Sequence, residues 1–164
     1  LNVMRDYTSK HPEINHIHSA GSGNYEQLKA KFVEMGLDKY PNLELVDYIY
    51  DMPLRVAAAD LVINRAGAML ISELAMMGKP AILIPSPNVT DNHQYKNAKV
   101  LADADAAVMI EESELGSVSL SQTVESLLSD RQKRASMSEN FKKFAIPDSN
   151  LIIYNEIKKR CNTK

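Results

Sequence analysis

The stretch Asn64–Pro85, "NRAGAMLISELAMMGKPAILIP", sets an arginine, a glycine and a glutamate between two strongly apolar runs. The run ahead of it, Asp60 to Asn64, is short and rich in β-branched residues, which suits a strand covered on both faces. From Ala68 onward, Met69, Leu70, Leu74 and Met77 recur at the i, i+1, i+5, i+8 spacing of a helix that packs one stripe on a sheet. Gly78 and Pro80 supply its stop signals, and Ala81 to Ile84 read as a second strand. Gly67 sits where strand becomes helix, so the first-turn N–H groups can face an anion at the carboxyl edge of a parallel sheet. Glu73 stands about one turn further in. A carboxylate there commonly serves as a dipole or capping partner; the alternative is a ligand for the cis diol of a ribose.

The rest of the chain repeats this alternation. A helical segment near Leu1 to Ser9 precedes a strand Ile14 to Ala20, a helix Tyr25 to Met35 and a strand Leu43 to Val46. A short helix near Leu54 to Ala59 leads into the unit above, and a helix from about Asn92 to Ala102 leads to a strand Ala106 to Ile110. Five strands separated by helices predict an α/β fold, a Rossmann-like open parallel sheet with flanking helices. Three further helices follow, near Ser119 to Leu128, Arg131 to Phe144 and Asn150 to Lys159, the last two broken apart at Pro147. Without internal repeat, low-complexity tract or linker, residues 1–164 read as one domain.

With 164 residues, 45% hydrophobic and 24% charged, the chain can bury a core, and no apolar run is long enough to span a membrane. A net charge of −2 argues against a nucleic-acid-binding surface; the basic run Lys158-Lys159-Arg160 reads as a solvated tail. The single Cys161 excludes an internal disulfide framework and leaves no zinc-ligand set, which points to a reducing, cytoplasmic setting. No secretory signal opens the chain. Its start at Leu1, without Met and in what reads as mid-helix, predicts a fragment of a longer protein.

Ligands of such sheets bind beyond the carboxyl ends of the strands, where three loops stand out. "SAGSGNY", Ser19 to Tyr25, lacks the full GxGxxG and the P-loop lysine and reads as a tight turn. In "DYIYDMP", Asp47 to Pro53, an exposed backbone at Ile49 can offer N–H and C=O to a flat base; a plain strand-to-helix turn is the equal alternative. "PSPNVTDNHQYKNA", Pro85 to Ala98, follows a buried strand, and Thr90 or Asp91 is placed to cap the next helix. His93, Gln94 and Asn97 crowd its first two turns, with Gln94 and Asn97 on one face as i and i+3. Amides both donate and accept, as a ring of sugar hydroxyls demands. His93 lacks an identifiable nucleophile or orienting carboxylate and reads as a hydrogen-bonding group rather than a base. His16 and His18 lack further ligands and read as structural.

These residues carry a resemblance. "NRAGAMLISELAMMGKPAILIPSPNVTDNHQYKNAKVL", Asn64 to Leu101, resembles the donor-binding signature of the MurG family, bacterial transferases that add N-acetylglucosamine (GlcNAc) to undecaprenyl-diphosphate-muramoyl-pentapeptide (lipid I) and so complete lipid II. The likeness runs upstream through "YIYDMPLRVAAADLVI" and downstream to "AAVMIEESEL" and "IPDS", from about Asn42 onward. The shorter "AGA...E...GKP" is generic for two-domain GT-B glycosyltransferases. The resemblance implies a GT-B C-terminal domain whose backbone at Ile49 reads uracil and whose Glu73 binds the ribose hydroxyls. It also implies that Gly67, Ala68 and Met69 approach the donor sugar and diphosphate, and that His93 and Gln94 contact the GlcNAc hydroxyls. Some members have Gln at the place of His93. Arg65 and Asn97 match positions expected to shape the site.

The implied reaction is inverting transfer from UDP-GlcNAc, with no metal and no cofactor beyond the donor itself, in peptidoglycan synthesis at the cytoplasmic face of the bacterial membrane. The family's N-terminal acceptor domain, which is expected to hold lipid I, the catalytic base and the membrane contact, has no counterpart here, and neither does the first strand of the donor domain with its serine-containing glycine-rich loop. Two other readings stay open: the donor half of the split transferase that extends dolichol diphosphate, and a UDP-sugar epimerase or nucleotide-sugar-binding module. "PSPNV" and "KNA" favour the first family over the split enzyme.

Overall fold

Short apolar runs that end in a polar or glycine-bearing turn form strands, and the 3.6-periodic stretches between them form helices. In the computed structural model, which describes residues 1–116 and 119–161, the order is α1 (Asn2–Asp6), β1 (His16–Ser19), α2 (Tyr25–Glu34), β2 (Leu43–Val46), α3 (Met52–Ala58), β3 (Val62–Asn64), α4 (Ala68–Met77), β4 (Ala81–Leu83), α5 (His93–Asp103), β5 (Ala107–Met109), α6 (Leu120–Ser129), α7 (Arg131–Lys142) and α8 (Ser149–Cys161). All the strand pairs are parallel, as βαβ alternation requires. The parallel strands with flanking helices are those expected, and their ladders form a two-stranded sheet, β1-β2, and a three-stranded sheet, β3-β4-β5. Among the described strands, none pairs with the second edge of β1 or of β3. The chain accordingly falls into two units, residues 1–59 with 113–131, and 60–112 with 132–164.

In the first unit, β1 and β2 pair from His16 opposite Leu43 to Ser19 opposite Val46. Alternation sends Leu43 and Leu45 to one face, where they meet Met4 of α1, Phe32 of α2 and Leu37. Helix α2 stops at Gly36 in the left-handed conformation, φ +67°. The "SAGSGNY" stretch is the tight turn expected of it, Gly21 (φ +74°) accepting from the Asn24 N–H at 3.1 Å. A residue that sequence reading passed over ties this unit together. Asn42 is buried, and its Nδ2 donates to the carbonyls of Thr8 (2.9 Å), His11 (3.2 Å) and Ile14 (2.9 Å). It thereby satisfies the backbone of the irregular link between α1 and β1. His16 and His18 lie on β1, and the Nδ1 of His16 is 3.2 Å from the Thr8 hydroxyl. His16 thereby takes the structural role read from the sequence.

In the second unit β4 is fully enclosed, Ala81, Ile82 and Leu83 each having no exposed surface. Strand β3 is not covered on both faces as expected, since Ile63 is 38% exposed and β3 is an edge strand. The stripe predicted for α4 is also corrected. Leu74 and Ala75 are buried, but Met69 is 81% exposed. Helical spacing marks which residues share a face but not whether a neighbour covers each of them. Gly78 ends α4 at φ +59°, and a Cβ there would come within 2.4 Å of Lys142 Cε and 2.9 Å of Ser138 Oγ on α7. Helix α8 has no buried residue among those described, and no described helix is long and apolar enough to cross a membrane.

Two outcomes follow from the first unit. Asn42→Ala takes a donor from the Thr8, His11 and Ile14 carbonyls, the first two of which keep a backbone N–H, and costs on the order of 1–3 kcal/mol in urea unfolding; a change below ~0.5 kcal/mol would remove Asn42 from this role. Burial, reinforced by His18, pushes the His16 imidazole down from 6.5 to about 4. The unfolded chain therefore binds the extra proton first as pH falls. His16 contributes stability above about pH 6.5 that is lost progressively toward pH 4, up to about 3 kcal/mol. A His16→Gln variant should show a flatter stability profile across that window, and an unchanged slope would contradict it.

Candidate functional site

Because β3, β4 and β5 are parallel and in register, Asn64 opposite Leu83 and Leu83 opposite Met109, their following loops leave on one rim. Three contacts join those loops. The Ile84 N–H donates to the Asn64 carbonyl at 2.8 Å, extending the ladder at the β3 and β4 exits. Asn97 Nδ2 on α5 donates to the Ala66 carbonyl at 3.3 Å. Arg65, after β3, pairs with Glu112, after β5, and both side chains stay largely exposed. Gly67, Ala68, Met69, Glu73, His93, Gln94 and Asn97 all belong to this second unit, whereas Ile49 belongs to the first.

The start of α4 has two properties that matter for binding. No side chain caps it, so its first-turn N–H groups keep their donor capacity. Gly67 is extended (φ −68°, ψ 137°), a conformation open to any residue, and a Cβ built on it meets nothing within 4 Å. Neither strain nor packing within the chain requires glycine there; what the glycine leaves is clearance over the uncapped amides. Glu73 is i+4 from Met69 and thus on the same outward face. It is exposed, and its carboxylate has no hydrogen bond or ion pair among the described residues. It is therefore not the cap or intramolecular partner that a glutamate near a helix start commonly is.

Helix α5 presents its polar residues in a defined state. The His93 Nδ1 lies 2.8 Å from the Thr90 carbonyl, which can only accept, so Nδ1 carries a proton and Nε2 is the ring atom left for other contacts, an acceptor in the Nδ1–H tautomer. The Gln94 Oε1 accepts from the Ser86 N–H at 2.8 Å, which leaves its amide NH2 as the donor not spent on that bond. One acceptor and one donor on consecutive residues suit a hydroxyl-bearing ligand. The capping expected from Thr90 or Asp91 is corrected: Asn92 is the cap residue and makes no side-chain cap bond. Asp91 (φ 55°) and Asn92 (φ 50°) are both left-handed, a strained approach that turns the chain sharply into α5 and leaves no side chain aimed at its amides.

In the first unit a cavity of about 290 Å³ opens beside the β2–α3 turn, lined by Ile17, Val46, Tyr48, Ile49, Tyr50 and Arg55 among others. Arg55 is held by Asp51 at 3.1 Å and Glu44 at 3.6 Å. Neither the N–H nor the C=O of Ile49 is hydrogen-bonded among the described residues, so one donor and one acceptor remain available beside this cavity. Three residues of the rim were missed in the sequence. Asn64 accepts from the Ala66 N–H through Oδ1 at 2.5 Å, Ser86 orients Gln94, and Glu112 pairs with Arg65. Only the first has a local signal, an asparagine bonding to the backbone two residues on. No group of three or more His, Cys, Asp or Glu side chains converges among the described residues.

The family description glycosyltransferase family 28 C-terminal domain matches residues 1–150. A protein of Acetivibrio thermocellus named UDP-N-acetylglucosamine–N-acetylmuramyl-(pentapeptide) pyrophosphoryl-undecaprenol N-acetylglucosamine transferase is 42% identical over 142 residues, 87% of this chain and 38% of the relative. One of the same name from Bacteroides thetaiotaomicron is 41% identical over 145 residues, again 38% of its length. The chain thus spans well under half of these relatives. The crystal structure of Acinetobacter baumannii MurG superposes with a TM-score of 0.73 at 27% identity, covering 96% of this chain and 48% of that one. With the parallel sheets, the uncapped α4 turn and a match over nearly its whole length, the chain belongs to the family of glycosyltransferase family 28 C-terminal domains.

Proposed function

We propose that this chain is the donor-binding domain of an inverting N-acetylglucosaminyltransferase that takes GlcNAc from UDP-GlcNAc to lipid I, forming lipid II in peptidoglycan synthesis. The observation that carries the reading is the start of α4, where uncapped amides, the clearance at Gly67 and the unpartnered carboxylate of Glu73 lie within two turns of one helix. Amides next to a clearance suit a diphosphate, and a carboxylate a little further along suits the two ribose hydroxyls. The names of the relatives supply the substrate class.

The roles divide by chemistry. The free backbone of Ile49 pairs with the uracil edge, and Glu73 accepts from the ribose 2′ and 3′ hydroxyls. Gln94 donates to, and His93 Nε2 accepts from, hydroxyls of the GlcNAc. In transfer, the acceptor oxygen bonds to the sugar C1 as the C1–O bond to the β-phosphate breaks, and that electron pair leaves with UDP. The α4 amides offset the charge growing on the leaving group. The acceptor proton passes to a base on the acceptor domain, which also holds lipid I and meets the inner face of the membrane. This chain by itself binds donor and transfers nothing.

Calorimetry with UDP and UDP-GlcNAc tests the nucleotide half of this reading. Glu73→Ala removes two charge-assisted hydrogen bonds and should weaken both ligands by about 2–4 kcal/mol; an unchanged affinity would sink the ribose assignment. Gly67→Ala should separate stability from binding. Its backbone conformation accepts alanine, so stability stays level or rises by ~0.4–1 kcal/mol, while nucleotide affinity falls by at least about tenfold. If Gly67→Ala binds UDP as the parent does, the diphosphate does not lie against this turn.

A further inference from the structure

Ala66, between β3 and Gly67, is held at φ +60° with no exposed surface. The left-handed region is sterically unfavourable for an alanine, whose Cβ crowds the following carbonyl, so the surroundings must impose it. Two asparagines do so from opposite sides. Asn64, at the end of β3, takes the Ala66 N–H on its Oδ1 at 2.5 Å, and Asn97, one turn into α5, donates its Nδ2 to the Ala66 carbonyl at 3.3 Å. Asn64 is itself fixed, since its carbonyl accepts from the Ile84 N–H at 2.8 Å. Both peptide groups of Ala66 are thereby occupied, and the direction in which the chain enters Gly67 and α4 is determined.

Helix α5 is tied at a second point, where Gln94 Oε1 takes the Ser86 N–H at 2.8 Å. The helix that carries His93 and Gln94 is therefore bound both to the β4 exit and, through Asn97, to the turn that aims the α4 amides. We propose that Asn97 is a positioning residue: with Asn64 it braces the left-handed Ala66 and couples the hydroxyl-reading start of α5 to the anion-facing start of α4. It acts through Ala66 rather than by touching the sugar. The brace stands on these contacts alone, and only its consequence for nucleotide binding rests on the function proposed above.

The test uses this chain with Asn97→Ala, Ala66→Gly and the two combined, followed by amide hydrogen exchange, thermal unfolding, and titration with UDP and with UDP-GlcNAc. Asn97→Ala should speed exchange of the Ala66 amide, which is buried and donates to Asn64, by roughly tenfold or more, with the melting temperature of the whole chain shifted by only a few degrees. It should weaken UDP and UDP-GlcNAc by the same factor, roughly tenfold. Glycine adopts the left-handed conformation without the steric penalty, so adding Ala66→Gly should return most of that loss. A loss confined to UDP-GlcNAc, or unchanged exchange at Ala66, or an Asn97→Ala defect that Ala66→Gly leaves untouched would each overturn the proposal. Should the parent chain bind neither nucleotide, the functional reading fails while hydrogen exchange still decides whether the brace exists.

Discussion

The second unit depends on the enclosure of β4. Ala81, Ile82 and Leu83 have no exposed surface, and ladders with β3 and β5 occupy both edges of the strand. A strand closed on both faces and both edges has freedom only at its ends. Parallel register then brings Asn64, Leu83 and Met109 level with one another, so the loops that follow must emerge together. The polar stretches Arg65–Gly67, Ser86–Asn92 and Glu111–Glu112 are the parts of the sequence that tolerate that rim. Apolar burial in the strands thus places the chemistry, although no residue of β4 takes part in it.

The rim side chains share a way of being used. Gln94 spends its carbonyl on Ser86 and presents its amide; His93 spends Nδ1 on Thr90 and presents Nε2; Asn97 spends its amide on Ala66. Each group has one polar atom in the scaffold, which fixes rotamer and tautomer before any ligand arrives and lowers the entropic cost of binding. Glu73 is the exception. With no partner among the described residues, it relies on its place on α4 alone, and a diol offering two hydrogen bonds would supply what the scaffold does not.

Most elements were legible because their boundaries carry strong local signals. The helix over Ala68–Met77 lies between Gly67 and the Gly78–Lys79–Pro80 stop, and β2 coincides with the predicted Leu43–Val46. Where reading failed, the cause was partner geometry rather than propensity. The pattern of α4 marks Met69 as apolar but does not say whether a neighbour covers it, and the β-branched run of β3 resembles that of β4 although one is an edge and the other is enclosed.

For the candidate site the division is similar. The residue types, their order along the chain and the family they indicate were determined by the sequence, because a carboxylate after a glycine turn and an amide-rich loop after a buried strand are local patterns. Three features were decided only by tertiary structure: the left-handed Ala66 held between Asn64 and Asn97, the donor of Gln94 not spent on Ser86, and the Asn42 amide serving three carbonyls. Each depends on which polar groups meet across the fold. A hydrogen bond is directional and short, so which atom of an amide is spent and which remains for a ligand is settled only when segments far apart in the chain reach contact.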